Sequence, residues 1–386
     1  MKKGVRRSLE EPVLYLNDAI DAYYLLFAEF VPMAMESDAL FKSLVTFASS
    51  HLSCFQEQYQ VATIENRSNA LRALSLALSS GSNEIHECET NLASSLVLMT
   101  SDVILGNRQG WYDHLAGAKH IILSAQTSTH SGEVIRGVDA LKQSTEGRWL
   151  LRNFAYHDIM SSVASRERLL LEADYLSGIT DTVDTYFGLA TDIMILIAKI
   201  SALETLGYEL LDNSPEGDDT TKATIVEIET ALNEWVCPES SDTALVDMAY
   251  AYRSAALLYL YHKIRAPSDS ATHFLGIYGD LTDKVQREVN RTLLYVSKIP
   301  WNGSPETSLV FPFFMAGVTT TCMTQIEEIR MRMNSIIEMR GFQNATRARE
   351  VLEKVWALLE LEPKQYCGGL YWQDIVEIDG GGLLLS

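Results

Sequence analysis

LASSLVLMTSDVILGNRQGWYDHLAGAKHIILSA, residues 92–125, is the stretch whose reading decides the fold. Leu92, Leu96, Met99 and Val103 recur at intervals of four, three and four, which places them on one helical face. Gly106 then breaks the pattern as a helix C-terminal glycine does, because glycine enters the left-handed region without a steric cost. After the polar turn Asn107-Arg108-Gln109-Gly110, a second helix opens at Trp111 and carries Leu115, Ala118, Ile122 and Ala125 on one face. The small residues Ala116, Gly117 and Ala118 let another helix come close. The stretch predicts a tight antiparallel helical hairpin stapled by a large aromatic residue.

The flanking sequence reads the same way. Leu16, Ile20, Tyr23 and Phe27 form a stripe that Val31-Pro32 should end, since the residue before proline disfavours the helical region. Ser37 or Asp38 can cap a second helix with Leu40, Leu44 and Phe47 as its stripe. A third runs from about Thr63 to Leu78, and Ser79-Ser80-Gly81-Ser82-Asn83 is a loop. Beyond the hairpin, Gln126 to Ser131 is a loose polar connection. A helix through Trp149, Phe154, Ile159 and Val163 leads to a turn around Gly178. Tyr186 to Leu206 is a long, nearly all-apolar helix suited to the centre of the fold. Asn213-Ser214-Pro215-Glu216-Gly217-Asp218-Asp219 is acidic and turn-forming, an exposed excursion.

Later helices are expected at Ile225 to Trp235, the tyrosine-rich Ala244 to Ile264, Leu281 to Ser297, and Ala348 to Leu361. Phe311 to Met339 forms one long helix or two, and Ala266-Pro267-Ser268-Asp269 is a break. There is no alternating strand and no fixed-period repeat. The expected class is all-α: a single large multi-helix globule of antiparallel helical hairpins over residues 13–386, behind a basic flexible tail over residues 1–12.

Composition narrows the function. The 386 residues are 47% apolar and 21% charged, with a formal net charge of −20. A body this acidic repels phosphate backbones, so it is not expected to bind nucleic acid by itself. Lys2, Lys3, Arg6 and Arg7 stand apart as either a solvated tail or a nuclear import signal. The tail lacks the apolar segment of a secretory signal, and the longest apolar run, Ile193 to Ala198, is too short to cross a bilayer. Five scattered cysteines suit free thiols in a reducing compartment, and the four N-x-S/T sequons then read as chance.

Reaction centres find little support. His51-x-x-Cys54 and His86-x-Cys88 have ligand-like spacing, but His51 and Cys54 continue the Phe47 stripe and read as buried side chains, so no metal is expected. No G-x-S-x-G elbow is present, and nothing in the sequence brings His114, His120 or His157 to a cysteine or carboxylate. The competing enzyme class is an all-α enzyme acting on an apolar or isoprenoid substrate, which needs a carboxylate cluster on a helix to bind the magnesium ions that hold the substrate diphosphate. Asp218-Asp219 lacks a third acid at spacing, and Asp181-x-x-Asp184 is a single pair near a helix start. Gly380-Gly381-Gly382 has no helix after it and is no phosphate cradle. Tyr250 to Tyr261, with Arg253 and His262, either lines a pocket for a small effector or packs in the core. No catalytic, cofactor-binding or metal residue is assigned, and no cofactor.

The order G-x-x-x-x-W-x-x-H-L-x-G-A, residues 106–118, resembles the helical regulatory region of fungal zinc-cluster transcription factors, the fungal-specific transcription factor domain family. FAYHDIMSS (154–162), DTYFGLATDIMILIAKISAL (184–203), AYRSAALLYLYHKI (251–264), LVFPFFMAGVTTTCMTQIEEIR (309–330), VLEKVW (351–356) and the ending YWQDIVEIDGGGLLLS (371–386) resemble that family's elements in the same order. The family's usual six-cysteine, two-zinc DNA-binding cluster is not in this sequence. The resemblance implies a non-enzymatic nuclear regulator, pathway-specific for a biosynthetic or catabolic gene cluster. Such a regulator pairs with itself or a partner transcription factor, can answer a small effector, and reaches DNA indirectly or through a missing N-terminal module. A scaffold without a regulatory role is the remaining alternative.

Overall fold

Helix α1, Asp38–Ser53, starts where the sequence provides a cap: the Ser37 hydroxyl accepts the Leu40 N–H at 3.3 Å. The structure is a computed structural model that describes residues 30–107, 110–128, 131–180, 184, 186–209, 215–264, 281–301, 304–361, 372–378 and 380–385. The tail 1–12, the Leu16 to Phe27 stripe and the 266–269 break lie outside the described residues. The turn before α1 differs from expectation, because helix continues past Pro32 to Ala34. Proline lacks a donor, but its carbonyl still accepts, and the Met35 N–H reaches both Val31 and Pro32 carbonyls at 3.2 Å.

Helix α2, Gln60–Ser79, lies against α1, where the Asn66 amide donates to the Ser49 hydroxyl at 3.2 Å. Small side chains (Ala39, Ala70, Ala73) join Leu74 and Leu98 in the seam. The deciding stretch forms the predicted hairpin of α3, Ile85–Leu105, and α4, Gly110–Ser124. Gly106 closes α3 at φ 69°, and Leu115, Ala118, Ile122 and Ala125 are all fully buried. The Ser95 hydroxyl donates to the His114 carbonyl at 2.8 Å and bonds the two helices.

Residues 126–128 are more ordered than a loose connection. Strand β1, Gln126–Ser128, pairs antiparallel with β2, Val134–Arg136, and Gln126 N–H also donates to the Asn83 carbonyl at 2.9 Å. β-Branched Ile135 faces β-branched Thr127, the pairing a pleated ribbon favours. A single turn, α5 (Val138–Leu141), leads into α6, Thr145–Ser165, where the Ser144 hydroxyl accepts the Gly147 N–H at 2.9 Å.

Helix α7, Thr191–Glu209, begins five residues later than the predicted Tyr186. The Asp184 carboxylate captures the N–H groups of Tyr186 and Phe187 at 2.8 and 3.2 Å, and Gly188, at φ 54°, folds back to pair with Asp184. The supposed acidic excursion is helical from Pro215, as α8, Pro215–Glu234. Proline followed by Glu216, Asp218 and Asp219 is the order that a helix N-terminus favours.

Helices α9, Thr243–Ile264, and α10, Thr282–Lys298, form another antiparallel pair, with Tyr250 stacked on Tyr295 and Lys298 on Asp247. The 311–339 stretch is two helices, α11 (Val310–Thr319) and α12 (Met323–Arg340), separated at Thr320, whose backbone is extended. Helix α13, Gln343–Leu361, returns along α12, where Glu353 accepts two bonds from Arg330 at 2.7 and 2.9 Å. After α14, Trp372–Ile378, Gly380, Gly381 and Gly382 all have positive φ and turn Leu383, Leu384 and Leu385 into the interior. One apolar core runs from Phe30 to Leu385, with α7 and α9 both deep in it. The protein is an all-α globule with one two-stranded ribbon among the described residues.

Candidate functional site

The polar turn of the α3–α4 hairpin is built around Asp102. This carboxylate is 1% exposed and accepts both guanidinium nitrogens of Arg67 from α2, one of them at 3.0 Å. Burial pushes its pKa up, and the Arg67 charge works against that rise. Asn107 donates its backbone N–H to the Asp102 carbonyl at 2.9 Å, and its side-chain oxygen accepts the Gly110 N–H at 3.3 Å. A Cβ on Gly110 would collide with the Asn107 amide nitrogen and an Asp102 oxygen. Gly106 is required by its backbone angle and by the approach of Gln343, and Gly110 by space alone. His114 Nε2 lies 3.6 Å from the same carboxylate, yet burial, with Arg67 nearby, lowers its pKa to about 4 and leaves it neutral near pH 7.

A cavity of about 170 Å³ opens between this turn, the start of α13 and the chain's final residues. Asp102, Asn107, Trp111, Asn344, Arg347, Glu350 and Gly382 are among its walls. Arg347 and Glu350 face each other at 3.6 Å, and the Trp111 indole N–H has no partner among the described residues. Roughly 150 Å³ holds a benzene-sized molecule, so a compact metabolite with hydrogen-bonding groups fits the space and its polar walls.

The other candidates take structural positions. His51 Nε2 meets the Arg340 carbonyl at 3.2 Å, and the Cys54 thiol bonds the Ser50 carbonyl at 3.4 Å and approaches that of Ile104. His86 pairs with Glu36 at 2.9 Å near the opposite end of α3. Ile104 and Cys88 are separated by about 24 Å of helix, so the two histidine–cysteine pairs stay apart. No three His, Cys, Asp or Glu side chains converge as a metal would need among the described residues.

His157 is buried against Tyr156 and Tyr186, and burial lowers its pKa to about 3. Its neighbour Asp158 accepts the N–H groups of Leu170 and Leu171 at 2.9 and 3.1 Å, with burial raising its pKa to about 6. His120 is exposed on α4 and meets neither group. Asp184 holds Arg152 at 3.3 Å and caps its own turn, while Asp181 lies outside the described residues. Of the α9 tyrosines, Tyr252, Tyr259 and Tyr261 belong to the core, while Tyr250 is half-buried against Tyr295. Tyr252 donates to the Ser308 carbonyl at 2.5 Å and Tyr261 to Glu229 at 2.7 Å, while Tyr259 shares a hydrogen bond with Ser201 at 3.0 Å. The cavity at the hairpin turn was missed by sequence reasoning, because its walls come from residues more than 200 positions apart.

No helix among the described residues is long and apolar enough to cross a membrane. No curated protein and no solved structure matches the chain. The family model described as the fungal specific transcription factor domain matches residues 26–385, covering the hairpin, the tyrosine helix and the buried leucine ending. A match across nearly the whole helical body means that this chain belongs to the fungal-specific transcription factor domain family and has a transcriptional regulator's role.

Proposed function

We propose that the protein is a nuclear, pathway-specific regulator of a biosynthetic or catabolic gene cluster that works through protein contacts rather than catalysis. Residues 13–386 act as one regulatory domain behind the basic tail 1–12. The single observation that carries this reading is the family match over residues 26–385. The net charge of −20 supports DNA contact through a partner or a separate N-terminal module, since this body repels phosphate. The polar cavity beside Trp111 supports response to a small effector, and contact with a second copy or another factor transmits it.

Deleting the gene and comparing transcripts tests the regulatory role. Coordinated change confined to one gene cluster is the expected result, and an unchanged transcript set would overturn it. A fluorescent fusion of the full chain should concentrate in the nucleus. A thermal-shift screen of compact polar metabolites tests the effector: a ligand at a hundred times its Kd stabilises by about 2.7 kcal/mol. Magnesium with a prenyl diphosphate should give no turnover, and product formation would favour the enzyme reading instead.

A further inference from the structure

The inward stripe of α1 is not its only apolar stripe. Phe41, Val45, Ala48, Leu52 and Phe55 recur at four, three, four and three, and every one of them is exposed. The helical path extends past Ser53, since Cys54 is helical and the Phe55 N–H returns to the Leu52 carbonyl at 3.1 Å. Phe41 is 55% and Phe55 48% exposed, unusual for phenylalanine when the core could take them. A mean spacing of 3.5 is the period of a seam between two helices, narrower than the face a helix presents to a globular core.

Two features identify the occupant. The first is size order: Phe, Val, Ala, Leu, Phe reads nearly the same in both directions about Ala48. Two copies of α1 meeting antiparallel on a two-fold axis put Phe41 of one copy opposite Phe55 of the other, Val45 opposite Leu52, and Ala48 opposite Ala48. The smallest side chain falls where the helices come closest, and self-complementarity of that kind is what an isologous contact requires. The second is charge. From Asp38 to Gln56 the only carboxylate and the only ammonium are Asp38 and Lys42, and they pair with each other at 2.6 Å. His51 turns inward onto the Arg340 carbonyl. On a body of net charge −20, this is a face on which a second copy can approach without facing a carboxylate array.

The geometry points to the outer face of α1 as a self-association surface, a two-fold antiparallel helix contact centred on Ala48. This names the surface for the self-contact proposed above and rests on that reading. One helix pair buries less than the roughly 800 Å² per partner of a standard interface, so the association is weak and reversible. Such a contact is filled by concentration and can be set by how much protein the nucleus holds.

Sedimentation equilibrium of the full 386-residue chain, from micromolar to several hundred micromolar, is the test. The wild type should pass from monomer to dimer mass over that range. Ala48→Glu places two carboxylates on the axis at an exposed position, so it should stay monomeric with unchanged circular dichroism and thermal midpoint. Ala48→Cys should crosslink copies under mild oxidation well above the wild-type background. A wild type monomeric throughout, or a dimer that survives Ala48→Glu and fails to crosslink through Ala48→Cys, would overturn the proposal. Transcripts from an Ala48→Glu strain separate this from the broader reading. A monomeric variant that still regulates leaves the surface standing and removes self-contact as the means of control.

Discussion

Gly110 shows how much one missing carbon can matter. Its open side is filled by Asn107 and Asp102, so Gly110→Ala forces apart groups that hold the turn and Arg67 together. Overpacking of this kind costs about 1–3 kcal/mol, read as a lower urea midpoint at unchanged slope. His157 carries a pH signature. Its pKa falls from an ordinary 6.5 to about 3, so between those values the unfolded chain binds a proton that the folded chain refuses. Stability from this group is full above pH 6.5 and declines as pH drops toward 3. His114, lowered to about 4, acts in the same direction, while Asp158, raised from 3.8 to about 6, opposes them by favouring the folded state as pH falls from 6 toward 3.8. His157→Phe isolates the first contribution: the wild-type curve minus the variant curve should rise with pH from 3 to 6.5. A flat difference would place a charged partner beside His157.

Between elements, close approach is set by the side chains that are absent. Trp356 of α13 donates its indole N–H to the Gly317 carbonyl of α11 at 2.9 Å. A Cβ on Gly317 would meet the two methyl groups of buried Leu352 at 2.8 and 3.0 Å. Gly317→Val should therefore push α11 off α13 and destabilise by about 1–3 kcal/mol, with loss of the Trp356 bond visible as a shift in indole fluorescence. Helix starts were legible where a side-chain cap marked them, as at Ser37. They were not legible where a side chain competes with the helix: Asp184 takes the N–H groups of Tyr186 and Phe187 across a stretch that is apolar enough to look helical. The Pro215 start was hidden for the opposite reason, because acids and glycine suit both a loop and a first helical turn.

At the scale of the whole molecule, net charge and contact surface work against each other. Two bodies of −20 repel, and salt screens that repulsion without weakening an apolar seam. Dimerisation through α1 should therefore tighten as salt rises from about 0.01 M to 0.15 M, where the Debye length shrinks from about 30 Å to about 8 Å. Weakening over the same range would mean that ion pairs hold the copies together. By itself, the sequence determined the helical class, the hairpin at Gly106 and Trp111, the family's order of motifs and the acidic body, because periodicity, glycine placement and charge are local or additive properties. Only the tertiary structure decided that a second apolar stripe of α1 stays exposed beside the inward one, and that Asp102, Trp111 and Arg347 wall one cavity. A helix with apolar residues on two sides satisfies the same pattern either way round, and burial is settled by whichever neighbours the rest of the chain brings to it.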